Sequence, residues 1–270
     1  MPLGANRWGK SEIRISKVFR GQVADDFIDL IVRISLEGDV AAAHTEGDNS
    51  SVLPTDTMRN TVYGLAQDHL TRDLEGFGEV LCEHFLKRDD VHAAEVTIAE
   101  RLWQRGSPSG FVGGGSERRI ARLRRGETEV SAAGVEGLVV LKTSGSAFEG
   151  FPKDRFTILP ETSDRLLATS ITAEWTYSSM PANTSTTWAL VRTTLVDRFF
   201  EDWSASVQHQ GYLMGEEVLR SVPEVSEISF RLPNQHHLPF DLTRFDMPWN
   251  NVVFQPVSEP YGDIYLTVTR

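Results

Sequence analysis

The sequence predicts an α+β fold built from two modules, each an antiparallel β-sheet with two helices on one face. Alternating apolar residues indicate strands, and apolar residues spaced three and four apart indicate helices. The same order of elements then occurs twice along the 270 residues. We expect the first module over residues 1–134 and the second over residues 135–270.

The first module has the order strand, strand, helix, helix, strand, strand. Its strands are predicted at residues 11–20, 27–36, 94–103 and 116–125. The Thr55-Asp56 pair is of the type that caps helices, and it opens a helical stretch that runs to Leu70. A second helix carries the apolar residues Phe77, Val80, Leu81 and Phe85.

The second module repeats this order with different residues. Its strands are predicted at residues 137–145, 168–179, 225–232 and 263–270, and its helices around Trp188 to Phe199 and Val207 to Leu219. Because strands joined by hairpin-like connections usually pair, we expect both sheets to be antiparallel.

One strand is apolar on both of its faces. Leu138 and Val140 point to one side, and Val139 and Leu141 point to the other. A strand with one face in water would not show this pattern. We therefore expect an oligomer that closes the sheets into a barrel, which would bury the second face and remove open sheet edges.

The composition excludes several classes of function. The net charge is −11, which argues against general binding to nucleic acid or to anionic membranes. Cys82 is the only cysteine, so no intrachain disulfide or multi-cysteine metal site can form, and its apolar helical surroundings predict a core residue. The first residues lack the apolar run of a secretory signal, and the final TVTR is not a peroxisomal address, so we expect a cytoplasmic protein.

Three conspicuous motifs do not by themselves indicate a phosphate, anion or metal site. The run Gly113–Gly115 lacks the lysine of a phosphate-binding loop, and a flexible hairpin loop is the better interpretation. The five arginines between residues 118 and 125 favour a solvated or interface-facing strand paired with surface acids over an anion funnel. His236 and His237 point to opposite faces of an extended segment, so we expect no metal site there, but one of them is expected to bond within a polar site.

The Thr55-Asp56 pair allows two interpretations. Both side chains suit a helix N-cap, which satisfies free amide groups. A helix start also presents N–H groups and a positive partial charge, which suit a bound anion. This pair alone does not decide between them.

Several segments, in order, resemble the urate oxidase (uricase) family. They are Trp8-Gly9-Lys10, LPTDTMRNTVY at 53–63, LKTSGSAFEGFPKDRFTILPETSDR at 141–165, SVQ at 206–208, LPNQHHLPFDL at 232–242 and PYGDIYLTV at 260–268. The resemblance implies two tunnelling-fold (T-fold) modules per chain, closed into a homotetrameric barrel with active sites at subunit interfaces. The chain is similar to the shorter, bacterial members of the family.

The resemblance also implies a substrate site. Phe148 would stack on the flat purine, and Arg165 would pair with its anionic edge. Gln208, helped by the Val207 backbone, would bond the opposite edge. Thr55 and the backbone N–H of Asp56 would come from a neighbouring subunit.

The implied reaction is the oxidation of urate by O2 and water to 5-hydroxyisourate and hydrogen peroxide. Lys10, Thr55 and His236 would form a proton relay in which Lys10 must be partly neutral, and Asn234 with Thr55 would hold O2 or water. The bound urate anion would pass electrons to O2 one at a time, so no cofactor is expected. Two alternatives stay open: another T-fold enzyme acting on pterins or purines, and a purine-binding protein without catalytic activity.

Overall fold

The structure is a computed structural model that describes residues 2–201, 203–248 and 251–270. The chain forms two compact units, one of Met1–Val135 with Glu174–Ala189 and one of Glu136–Ala173 with Leu190–Arg270. The expected module boundary after residue 134 stays a prediction. None of the described helices combines the length and the apolar character needed to cross a membrane.

The first unit pairs its strands in the order β1-β2-β3-β4-β5. Its elements are β1 (Trp8–Phe19), β2 (Asp26–Gly38), α1 (Ala41–Thr45), α2 (Thr55–His69), α3 (Leu74–Leu86), β3 (Val91–Arg105), β4 (Phe111–Arg125), the start of β5 (Val130–Lys142), the end of β6 (Leu167–Tyr177) and the start of α4 (Thr184–Glu201). The pairs β1/β2, β2/β3 and β3/β4 are antiparallel. The helices α2 and α3 pack on this sheet.

Alternation along β2 shows why this sheet has one core face. Ile28, Leu30, Val32, Ile34 and Leu36 are all buried, and they form one cluster with apolar residues of α2 and α3. Each buried side chain of this size stabilises the folded state by about 1.5–3 kcal/mol.

The second unit pairs its strands in the order β5-β6-β7-β10, with a separate two-stranded sheet of β8 and β9. Its elements are the rest of β5, most of β6 (Leu167–Tyr177), most of α4 (Thr184–Glu201), α5 (Val207–Ser221), β7 (Val225–Pro233), β8 (His236–Pro239), a 3-10 turn (Thr243–Phe245), β9 (Phe254–Val257) and β10 (Asp263–Thr269). The pair β7/β10 is antiparallel. The α+β class with antiparallel strands and packed helices is therefore confirmed.

The helix α5 lies close to β7 and β10 because its contact face carries small residues. A Cβ atom at Gly211 would lie 2.8 Å from side-chain atoms of Leu232 and Leu266, and one at Gly215 would lie 2.6 Å from Val268. The spacing of four residues puts both glycines on one helix face. This close packing fixes the helix whose first turn carries Val207 and Gln208.

The glycine run was wrongly predicted to be a hairpin loop, because Gly113–Gly115 lies within β4. The turn lies earlier, where Gly106 N–H donates to Gly110 O at 2.9 Å. The register between β3 and β4 shifts between Arg101 and Trp103, and Gly115 has φ +86°. Glycine suits such an irregular strand because it accepts backbone angles that strain other residues.

The arginines of β4 do pair with acids, but one pair differs from the expectation of surface contacts. Arg119 and Glu75 are both buried and lie 2.6 Å apart. The other ion pairs lie nearer the surface and join Arg122 to Glu174, Arg124 to Glu37 and Arg125 to Glu79.

The core position of Cys82 is confirmed. Its side chain is fully buried in α3, and burial is the main reason that the pKa of its thiol rises to about 12. The thiol is therefore protonated and unsuited to nucleophilic chemistry.

Candidate active site

In the second unit, backbone hydrogen bonds join three loop segments around Phe148 and Arg165. Phe148 N–H donates to Thr162 O at 2.8 Å, and Thr162 N–H donates back at 3.1 Å. Arg165 N–H donates to Ser146 O at 2.7 Å. Ala147 N–H donates to Ser204 O at 2.8 Å, which ties these loops to the segment that enters α5.

These bonds bring Arg165 against an aromatic ring. Its guanidinium carbon lies 5.4 Å from the centroid of Phe148. Arg165 is half-buried, burial lowers the pKa of its guanidinium, and its Nε is buried without a hydrogen-bond partner. Among the residues that the structure describes, it forms no ion pair. A desolvated cation without a counter-ion is costly, so this site favours an anionic ligand.

Phe151 is a member of this group that sequence reasoning missed. Its ring stacks on Phe148 with centroids 4.9 Å apart and planes inclined by 16°. One face of Phe148 is therefore occupied within the chain. The only signal in the sequence was a second phenylalanine three residues further along.

The first turn of α5 lies next to these loops in the sequence. Ser206 is the N-cap, and its Oγ accepts from His209 N–H at 3.0 Å. Val207 is buried and Gln208 is exposed. Amide groups at the start of a helix have no partner within the helix, so those of Val207 and Gln208 are suited to a polar ligand.

Asn234 lies between β7 and β8, and His236 is the first residue of β8. Asn234 N–H donates to Gly262 O at 2.7 Å, and Asn234 Nδ2 lies 3.5 Å from His236 Nδ1. Both side chains are half-buried. His236 also borders a cleft of about 550 Å³ together with Arg231 and His237, whereas Phe148 and Arg165 do not line it.

No three His, Cys, Asp or Glu side chains of residues 2–201, 203–248 and 251–270 are grouped as ligands of a metal ion would be. His237 Nδ1 lies 3.1 Å from Gln235 O, a backbone contact that occupies this ring nitrogen.

The first unit carries Lys10, Thr55 and Asp56. Lys10 lies near the start of β1 and is half-buried. Thr55 is the first residue of α2 and Asp56 the second. Lys10 Nζ and Thr55 Oγ1 form no hydrogen bond with any residue that the structure describes, so the expected relay is not seen as a direct contact.

The interpretation of Thr55-Asp56 as a capping pair was wrong. The N-cap position is Pro54, which makes no side-chain cap, and Thr55 and Asp56 lie inside the helix. The Asp56 carboxylate instead pairs with Arg59 Nη2 at 2.7 Å and accepts from Asn60 Nδ2 at 3.1 Å. The amide groups of the first turn thus lack a side-chain acceptor.

Comparison with known proteins supports the resemblance along the whole chain. The sequence model of the uricase family matches residues 6–126 and 131–265. The uricase of Arthrobacter globiformis is 40% identical over 99% of this chain and 90% of that protein, and the uricase of Dictyostelium discoideum is 36% identical over 98% and 96%.

Solved structures agree with the fold. The crystal structure of the Arthrobacter globiformis uricase matches with a TM-score of 0.96, covering 100% of this chain and 95% of that one at 40% identity. The Bacillus sp. TB-90 urate oxidase matches with a TM-score of 0.86 at 24% identity, covering 98% of this chain and 100% of that chain, and shows the shared fold alone. On the family match and the identity to two uricases, the chain belongs to the uricase family.

Proposed function

We propose that the chain oxidises urate with O2 and water to 5-hydroxyisourate and hydrogen peroxide, without a cofactor. The observation that carries this proposal is Arg165, a half-buried cation that lies against the Phe148 ring and has no ion-pair partner among the described residues. Urate is flat and anionic, so it offers both a stacking surface and a counter-charge.

Each part of the second-unit site has a role in binding. The Arg165 guanidinium forks onto two acceptors of the purine edge. The purine stacks on the Phe148 ring, on the side opposite Phe151. The Gln208 amide and the Val207 backbone bond the opposite edge, which fixes the orientation of the ring.

Proton transfer makes the substrate a reductant. The relay of Lys10, Thr55 and His236 removes a further proton from urate, which makes the ring electron-rich. Lys10 accepts a proton only in its neutral form, and Thr55 passes it on because a hydroxyl both donates and accepts. Asn234, with Thr55, holds O2 and later water over the ring.

The electron transfer proceeds in single steps. Ground-state O2 is a triplet, so it takes two electrons from the bound urate anion one at a time and leaves as hydrogen peroxide with two protons. Water then adds to the oxidised ring and gives 5-hydroxyisourate. Urate, O2 and H2O thus balance against 5-hydroxyisourate and H2O2.

We propose a homotetramer in which Thr55 and Asp56 of a neighbouring subunit complete each pocket. The exposed apolar side chains of Val139 and Leu141 on β5 support a buried interface there, since Val139 is 55% and Leu141 39% exposed in the single chain. We infer no role for nucleic acid or membranes, and a cytoplasmic location stays a prediction.

The deciding experiment measures oxygen uptake when urate is added to metal-free, fully assembled protein. We expect one O2 consumed and one peroxide formed per urate. Uptake that a chelator abolishes and zinc restores would point to a metal-dependent T-fold enzyme instead. Urate binding under nitrogen with no uptake in air would indicate a purine-binding protein without catalytic activity.

A further inference from the structure

A tryptophan side chain links the strand that carries Lys10 to the segment that leads into Thr55. Trp8 Nε1 donates to Leu53 O at 3.1 Å. Trp8 precedes Lys10 by two residues on β1, and Leu53 precedes Thr55 by two residues at the start of α2. A single hydrogen bond therefore spans the two segments that carry these two groups.

The same bond lies on the Lys10 face of the strand. Residues two apart on a strand point to the same face, so the Trp8 and Lys10 side chains share a side of β1. Trp8 and Leu53 are half-buried and pack against the core cluster of the first unit. The indole is thus held by packing as well as by its N–H group.

The backbone around Lys10 is closely defined. A Cβ atom at Gly9 would lie 2.0 Å from Ile34 O, so β1 approaches β2 more closely there than another residue would allow. Between Lys10 and Ile13 the register shifts by one residue, and Glu12 has φ +58°. This is a β-bulge, a device that redirects side chains.

The start of α2 has less support of its own. Pro54, the N-cap residue, makes no side-chain hydrogen bond to the first turn. The Leu53 carbonyl that accepts from Trp8 lies immediately before it. The indole N–H is therefore a direct tie between the entry to α2 and the strand of Lys10.

We propose that Trp8 is a positioning residue that holds Lys10 and Thr55 in register for proton transfer. It acts through its hydrogen bond to the backbone at Leu53. The inference rests on the proposed function, because it concerns the relay of that reaction. A purely structural Trp8 would affect stability but not the proton-transfer step.

The test is Trp8→Phe, which removes the N–H donor and keeps most of the aromatic packing. The matched control is Phe19→Leu, because Phe19 is also half-buried on β1 and packs on the same core cluster. The concentration of active sites is determined from urate binding under nitrogen, so that misfolded protein does not affect the value of kcat.

For Trp8→Phe we expect kcat per site to fall about tenfold. This is less than the rate factor of about 100-fold or more that a proton-transfer group itself contributes, because the relay is displaced but still present. KM for urate should change by less than about twofold, since a disturbed proton relay weakens stabilisation of the transition state and not binding of urate. The solvent deuterium isotope effect on kcat should increase, because proton transfer becomes slower. Phe19→Leu should lower the melting temperature and leave kcat and the isotope effect unchanged.

Two results would overturn the inference, and they are distinguishable. If wild-type protein oxidises urate but Trp8→Phe keeps its kcat and isotope effect, Trp8 serves packing alone. If wild-type protein consumes no oxygen with urate, the proposed reaction fails and the relay fails with it.

Discussion

The Arg165 guanidinium lies 5.4 Å from the centre of the Phe148 ring, and the backbone of each residue is bonded to a neighbouring loop segment. The loop that carries Phe148 also pairs with Ser204, two residues before the N-cap of α5. The aromatic face, the cation and the start of α5 are thus held together by main-chain bonds. Side-chain substitutions at this site should therefore change binding without loosening the loops.

Arg165→Ala should weaken urate binding by about 10- to 100-fold, the value of a hydrogen bond to a charged group. The affinity of Arg165→Lys for urate should lie between those of the wild type and Arg165→Ala, because lysine keeps the charge but lacks the planar, forked guanidinium. The dissociation constant is measured under nitrogen, where urate is not consumed.

Arg155→Ala is the matched control for this measurement. Arg155 lies 4.5 Å from the Phe156 ring in the same loop region, but it is exposed. Its removal should leave the dissociation constant unchanged. Equal losses in the two alanine variants would argue against a specific role for Arg165.

Thr55→Ala should retain urate binding and lower kcat by about 100-fold, since a proton relay acts in the transition state. Thr57→Ala is the control, because Thr57 is an exposed threonine in the same helix, two residues further along. Steady-state oxygen uptake and anaerobic urate binding are measured for both. Turnover that is unchanged in Thr55→Ala would exclude its hydroxyl from the relay.

Alternation of apolar residues predicted the long strands well, because one face of each long strand packs on the core. Leu30, Val32 and Ile34 on β2 show this alternation, and all are buried. The short strands β8 and β9 were not predicted, because four residues with Pro239 or Pro256 carry too little pattern.

The site was harder to predict from residue types. Thr and Asp are both favoured at the N-cap, and Asp also in the first turn, so the residue types did not reveal that Pro54 is the N-cap. The lack of an ion-pair partner for Arg165 within the described part of the chain, and the stack of Phe151 on Phe148, depend on how loops meet in space. The roles given to these residues came from family resemblance and stay proposals.

The buried ion pair of Arg119 and Glu75 should be sensitive to loss of one partner. Glu75→Gln leaves the buried Arg119 cation without its direct ion-pair partner, which should destabilise the protein by about 3–5 kcal/mol. The double variant Glu75→Leu with Arg119→Met should regain most of this, because neither charge of the pair is then buried. The apparent melting temperature of the assembled protein measures both effects.

Asp90→Asn is the control for that pair. Asp90 pairs with Arg88 near the surface, where the two side chains are 23% and 40% exposed. An exposed pair contributes about 0–1 kcal/mol, so its loss should barely move the melting temperature. A larger decrease in melting temperature for Asp90→Asn than for Glu75→Gln would contradict the larger contribution to stability assigned to the buried pair of Arg119 and Glu75.

Glu100 should give the stability of the protein a distinct dependence on pH. Burial raises the pKa of its carboxyl above 4.5, against the opposing charges of Arg119 and Arg72. The folded protein therefore holds a proton that the unfolded chain releases, and this contribution to stability is lost as pH rises through the raised pKa.

Glu100→Gln mimics the protonated form at every pH. The melting temperature of the wild type, relative to Glu100→Gln, should thus fall as pH increases from about 4.5. Glu83→Gln, at an exposed position of α3, should run parallel to the wild type over the same range. A Glu100→Gln profile that also runs parallel to the wild type would show that Glu100 is ionised alike in the folded and unfolded chain.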